Sequence, residues 1–295
     1  MSHIFDALQK SQAERPGIEA GNLAVAELLQ IAERAVVAER ESDLETGDPR
    51  SDNTTEFPRT DAGLRPLLYK NEEDTASLQT RPQLNMDEKE RDEVMKFVQQ
   101  MFLMPGADAP RTVALTGIES GNGCTWICSR AARILASQDK SPVCLVDANL
   151  RSPGLHQTFG VENHHGLSDA LDDTRPIRDF VRPLGKDNLW LLSCGAHAAE
   201  RSSLLSSNRM RLRLSELRQY FKYVLIDSPA LNVGNDAILL GGASDGVVLI
   251  LKAESSRREA AQKAVQDLQN AGVRILGAVL NQRTFPIPQA IYNKL

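Results

Sequence analysis

A doubly wound α/β domain with a mostly parallel sheet is predicted over residues 86–295. Three observations carry that prediction. Short runs that are apolar at nearly every position alternate with stretches of helical periodicity, as expected of strands buried on both faces of a parallel sheet. A glycine-rich turn, GIESGNGCTW (117–126), joins the first run to the helix after it. Two later runs each end in aspartate, at Asp147 and Asp227.

The elements follow in order. MDEKERDEVMKFVQQMFLM (86–104) reads as a helix with Val94, Phe97, Val98, Met101 and Phe102 on one face, stopped by Pro105 and Gly106. RTVALTG (111–117) is a strand and CTWICSRAARILAS (124–137) a helix. PVCLVDAN (142–149), NLWLLSCG (188–195), YVLIDSPA (223–230), GVVLILKA (246–253) and VRILGAVLN (273–281) are further strands. GLSDALDD (166–173) and SSNRMRLRLSELRQYF (206–221) are helices, the second with a charged outer face. SSRREAAQKAVQDLQNAG is a helix with Ser256 and Glu259 in capping-box register and Gly272 as its stop. Strands alternating with helices imply right-handed crossovers and a doubly wound sheet.

The front of the chain differs. Residues 1–40 hold two short amphipathic stretches, MSHIFDALQK and NLAVAELLQIAERAVVAER, which read either as solvated helices or as a docking segment for a partner. Residues 41–85 are polar and acidic, with too little apolar surface to offset the entropy of ordering, and read as a disordered linker. Residues 1–85 carry nine Lys/Arg against sixteen Asp/Glu, so the net charge of −5 belongs to this segment. A near-neutral domain behind it argues against nucleic-acid binding.

No apolar run approaches the roughly 18 residues of a membrane helix, and the N-terminus lacks signal-peptide order. A cytoplasmic protein is expected. The four cysteines, 124, 128, 144 and 194, have no zinc-site spacing and read as small hydrophobes.

The quoted turn has the makings of a phosphate-binding loop. Gly121 and Gly123 allow backbone N–H groups around Asn122 to turn toward an anion. The helix after it adds the positive end of its dipole. Thr125 supplies a hydroxyl for Mg²⁺. The strict pattern, G-x-x-x-x-G-K-[ST], is met at Gly123 and Thr125 only. Ile118 stands at the first glycine and Cys124 at the lysine. LVDANLR (145–151) and VLIDSP (224–229) add Asp147 and Asp227 at strand ends beside the loop, where carboxylates meet Mg²⁺ directly or through water.

The loop, VDANLR and LIDSP resemble the Walker A, A′ and B motifs of bacterial tyrosine kinases, the cytosolic P-loop autokinases of capsule and exopolysaccharide production. The resemblance covers about residues 86–295, and the front segment MSHIFDALQKS is similar to the N-termini of polysaccharide-associated members. It implies a P-loop NTPase fold of MinD/ParA-like architecture. ATP and Mg²⁺ would be the cofactors. Gly121, Asn122, Gly123, Cys124 and Thr125 would form the phosphate loop, Thr125, Asp147 and Asp227 would serve the metal, and Asp147 would also activate a tyrosine hydroxyl. Asn281 falls where the wider class contacts adenine. The implied partners are a membrane polysaccharide co-polymerase, which regulates chain length and would hold the protein at the inner face of the membrane, and further copies of the chain.

Three departures qualify the enzyme reading. Cys124 removes the cation that would reach the β- and γ-phosphates, and Glu119 stands where MinD-like members carry a second lysine. Each such bond is worth roughly 1.5–3 kcal/mol. Arg151, or an arginine from a second copy, is the candidate replacement. Asn149 replaces a second aspartate. Of four tyrosines only Tyr292 lies near the C-terminus, so no acceptor cluster exists there. Three functions follow: a tyrosine autokinase-like ATP-binding protein, a catalytically impaired regulatory partner of the export machinery, or a MinD/ParA-type ATPase. Cys124 also raises the idea of a reactive thiolate at a helix N-terminus, set against an inert small residue.

Overall fold

The computed structural model describes residues 86–103, 109–185, 188–196, 205 and 208–283. The two front stretches, the linker and Tyr292 lie outside the described residues. Within them runs α1 (Glu88–Val98), β1 (Thr112–Gly117), α2 (Cys124–Asp139), β2 (Val143–Asp147), α3 (Leu155–Phe159) and α4 (Leu167–Asp172). A 3₁₀ turn (Ile177–Phe180), β3 (Arg182–Pro183), β4 (Leu189–Leu192) and α5 (Asn208–Tyr220) follow. The domain continues with β5 (Tyr223–Asp227), α6 (Asp236–Gly242), β6 (Gly246–Lys252), α7 (Arg258–Asn270) and β7 (Ile275–Asn281).

The strands form one sheet in the order β3-β4-β2-β5-β1-β6-β7. Every pairing is parallel except the two-residue β3 against β4. The near-continuous apolar runs have a direct cause. Alternate side chains of one strand enter different cores. Ala114, Cys144, Val146, Val224, Ile226, Val247 and Leu249 join the core beneath α4, α5 and α7. Val113, Leu115, Val143, Leu145, Leu225, Val248 and Ile250 join the core beneath α1 and α2. Burying both faces leaves no polar position in these strands until their ends.

The helix ends add two findings. Asp87 and Glu90 form a reciprocal capping box that starts α1, and the chain past Val98 widens into a π-turn, Gln99–Leu103, that buries Phe102. At α7 the expected Ser256 cap is corrected. The N-cap is Arg257 without a side-chain bond, because the Ser256 hydroxyl accepts from the Lys252 N–H instead. Gly272 does end α7, at φ 66°.

Candidate functional site

Parallel pairing brings three strand ends together. Asp227 at the end of β5 is level with Asp147 on β2 and with Leu115 on β1. Just past Leu115 the chain turns through residues 118–123 into α2. This is the carboxyl edge of the sheet, where open α/β folds bind ligands.

The loop has the backbone of a phosphate cradle. Gly121 and Gly123 have φ of 85° and 88°, a region that favours glycine. Among the described residues the N–H groups of Gly121, Gly123, Cys124 and Thr125 donate to no backbone carbonyl. Those of Cys124 and Thr125 are the unpaired donors of a helix start. α2 runs for 16 residues and carries no acidic residue in its first turn, so its dipole is not neutralised there.

Thr125 and Asp227 meet directly: Thr125 Oγ1 donates to Asp227 Oδ2 at 2.6 Å. The other oxygen, Oδ1, is buried and has no hydrogen-bond partner. Asp147 is also fully buried. Its Oδ2 accepts from the N–H groups of Gly154 (3.1 Å) and Leu155 (3.0 Å), and its Oδ1 from Asn149 (3.3 Å). Burial pushes both carboxyls above the ordinary range; for Asp147 the neighbouring Asp227 charge adds to it, and the three N–H groups oppose it. A carboxyl pair without a cation is the environment a divalent ion would relieve. The orphaned Asp227 Oδ1 and the Thr125 hydroxyl therefore fit Mg²⁺.

The expected replacements for the lysine fare differently. Cys124 turns its thiol inward, donating to the Leu115 carbonyl at 2.9 Å. Burial, then the Asp227 charge, raises its pKa well above the normal thiol value. Desolvation and the Asp227 carboxylate thus work against a reactive thiolate at this helix start. Arg151, the candidate substitute cation, is paired with Asp236 of α6, Nε to Oδ2 at 2.9 Å. Asn281, expected at adenine, sits under the loop, its Nδ2 donating to the Asn122 carbonyl at 2.8 Å.

Sequence reading missed the Asp236 partner of Arg151, because the short helix that carries it has a weak pattern. It also missed Ser256 as a loop contact, where Asn122 Nδ2 donates to its hydroxyl at 3.0 Å. No periodicity marks a residue whose partner is 134 positions away.

A parallel sheet with a glycine cradle before a helix and acidic strand ends beside it defines a P-loop protein of the MinD/ParA-like class. The family model for cellulose biosynthesis protein BcsQ matches residues 111–270, more than half of the chain. The tyrosine-protein kinase YwqD of Bacillus subtilis is 30% identical over 171 residues, covering 58% of this chain and 72% of that protein. The tyrosine-protein kinase Etk of Escherichia coli K12 is 29% identical over 167 residues, 57% of this chain but 23% of its own length. The crystal structure of the VpsO kinase domain superposes with a TM-score of 0.60 at 27% identity, covering 67% of this chain and all but 2% of the other. The chain belongs to the family that the BcsQ model describes, and its likeness to YwqD also places it in the bacterial tyrosine kinase family.

Proposed function

We propose that the chain is a tyrosine autokinase-like, ATP-binding protein of exopolysaccharide or capsule production. The observation that carries the reading is the ordered cradle of Gly121–Thr125 set directly against Asp227 and Asp147. In this reading the loop N–H groups and the α2 dipole bind the phosphate chain. Thr125 and Asp227 hold Mg²⁺, which would offset phosphate charge. Asp147 in its ionised form, made more basic by burial beside Asp227, accepts a proton from an incoming tyrosine hydroxyl as general base. The kinase names of YwqD and Etk and the kinase domain of VpsO support it. A membrane co-polymerase and further copies of the chain are the partners, placing it in the cytoplasm at the inner face of the membrane. No helix among the described residues is long and apolar enough to cross the membrane itself.

A second reading has its own observation. Cys124 directs its thiol to the Leu115 carbonyl and Arg151 is paired with Asp236 in the ligand-free chain, so neither offers the loop an unpaired cation. A protein of this kind would bind nucleotide weakly and serve as an assembly partner of the export machinery.

Calorimetry with Mg²⁺-ATP on the full chain and on Cys124→Lys separates them. Micromolar binding by the native chain, followed by phosphotyrosine, supports the kinase. Binding only in Cys124→Lys, tighter by roughly tenfold or more, supports the assembly partner. Steady phosphate release without phosphotyrosine would instead indicate a MinD/ParA-type ATPase.

A further inference from the structure

The phosphate loop is gripped from the β6–β7 side by residues outside its motif. Asn122 is buried, and its Nδ2 donates to the Ile250 carbonyl (3.1 Å) and to Ser256 Oγ (3.0 Å). Ser256 Oγ also accepts from the Lys252 N–H (2.9 Å), so both its lone pairs are occupied. Asn281, last residue of β7, donates Nδ2 to the Asn122 carbonyl (2.8 Å). Its Oδ1 accepts from the Gln282 N–H (2.8 Å), at a residue with φ 56°. One N–H of the Asn281 amide and one lone pair of its oxygen are therefore engaged inside the protein.

Two consequences follow from elementary geometry. The Asn122 C=O and the Gly123 N–H belong to one planar trans peptide and point in opposite directions. Anchoring that carbonyl on Asn281 aims the Gly123 N–H away from Asn281 and toward the open side of the loop. Second, Asn281 approaches so closely that a Cβ at position 123 would collide with its Nδ2. Gly123 is thus favoured by its φ, and a side chain there would also displace Asn281 from the loop.

We propose that Asn281 is a positioning residue for the phosphate loop and does not read the base. It presets the Asn122–Gly123 peptide before any ligand arrives, with Asn122 and Ser256 as its supports. The proposal rests on the nucleotide-binding reading above, and it makes affinity for the phosphate chain depend on a residue at the far edge of the sheet.

The test uses the full chain and its Asn281→Ala and Asn281→Asp variants, titrated with inorganic pyrophosphate, ATP and GTP in Mg²⁺. Asn281→Ala should weaken pyrophosphate and ATP by the same factor, roughly two- to tenfold for one lost hydrogen bond. The ATP-to-GTP ratio should not move. Asn281→Asp has the same size but no donor, and it sets a carboxylate against the Asn122 carbonyl. It should weaken pyrophosphate further still, whereas a space-filling role would leave it near native. Loss confined to ATP, with pyrophosphate untouched and the ATP-to-GTP ratio shifted, would make Asn281 a base reader and overturn the proposal. Amide exchange in the ligand-free chain supplies an independent arm. Asn122 and Ile127, whose N–H groups bond to Glu119 and Gly123, should exchange faster in Asn281→Ala, and unchanged protection would also overturn it. If the native chain binds none of the three ligands, the nucleotide reading fails, and the exchange arm still decides the tie.

Discussion

At the end of β2, Asp147 spends both oxygens on backbone N–H groups and so fixes the turn into α3. One strand over, Asp227 takes a single hydroxyl, from Thr125, and keeps a buried oxygen with no partner. The two are level in the sheet and fully buried. Burial raises both pKa values, yet the groups do different work. Asp147 is built into the fold through its backbone N–H partners. Asp227 is held in a costly state that a cation or a proton would relieve. Buried polar atoms left unpaired in native structures are strain reservoirs or waiting sites.

The largest effect that sharpens this contrast is at Asp147. Asn at that position can keep its oxygen on Gly154 and Leu155, but it sets an amide donor against the Asn149 N–H. Asp147→Asn should cost about 1–3 kcal/mol, read as a Tm several degrees lower. An unchanged Tm at pH 5, where the substitution relieves little buried charge, would mean the three N–H bonds contribute nothing and the contrast is false.

Asp227→Asn should go the other way without ligand. The folded-state pKa of Asp227 is raised to about 6, above its unfolded value. Its contribution to stability is therefore fully present below the unfolded pKa and is lost as pH rises through the folded one. At pH 8 the variant, free of that buried charge, should match or exceed the native chain by up to about 1 kcal/mol. At pH 5 the gain should vanish, since Asp227 is then mostly protonated. A Tm loss at pH 8 as large as that of Asp147→Asn would erase the distinction between the two sites.

The smallest effect concerns Cys124, which shares the Asp227 environment. Iodoacetamide at pH 8 should label it in the native chain roughly tenfold or more slowly than in the unfolded chain, as expected of a thiol kept neutral and turned inward. Rapid native labelling would show that Asp227 does not govern the thiol.

Much of this was legible in the residues. The parallel strands declared themselves because burial on both faces forbids polar residues along their length. The cradle and both carboxylates were readable because glycines at positive φ and aspartates at strand ends are local requirements. What stayed hidden was short or distant. The helix 236–242 and the two-residue β3 lie below the length at which periodicity carries a signal. The Ser256 register suggested a cap, but a hydroxyl with two lone pairs went to Lys252 and Asn122.

Sequence alone determined the class of fold, the position of the loop and the loss of its lysine, since each is set by residue type and local spacing. Only the tertiary structure decided where the unusual side chains turned. Cys124 faces the Leu115 carbonyl, Arg151 is engaged by Asp236, and Asn281 grips the loop. Each of these choices depends on a partner from 9 to 159 positions away. Hydrogen bonds have short reach, so contacts across such separations exist only once the sheet has brought the strand ends together.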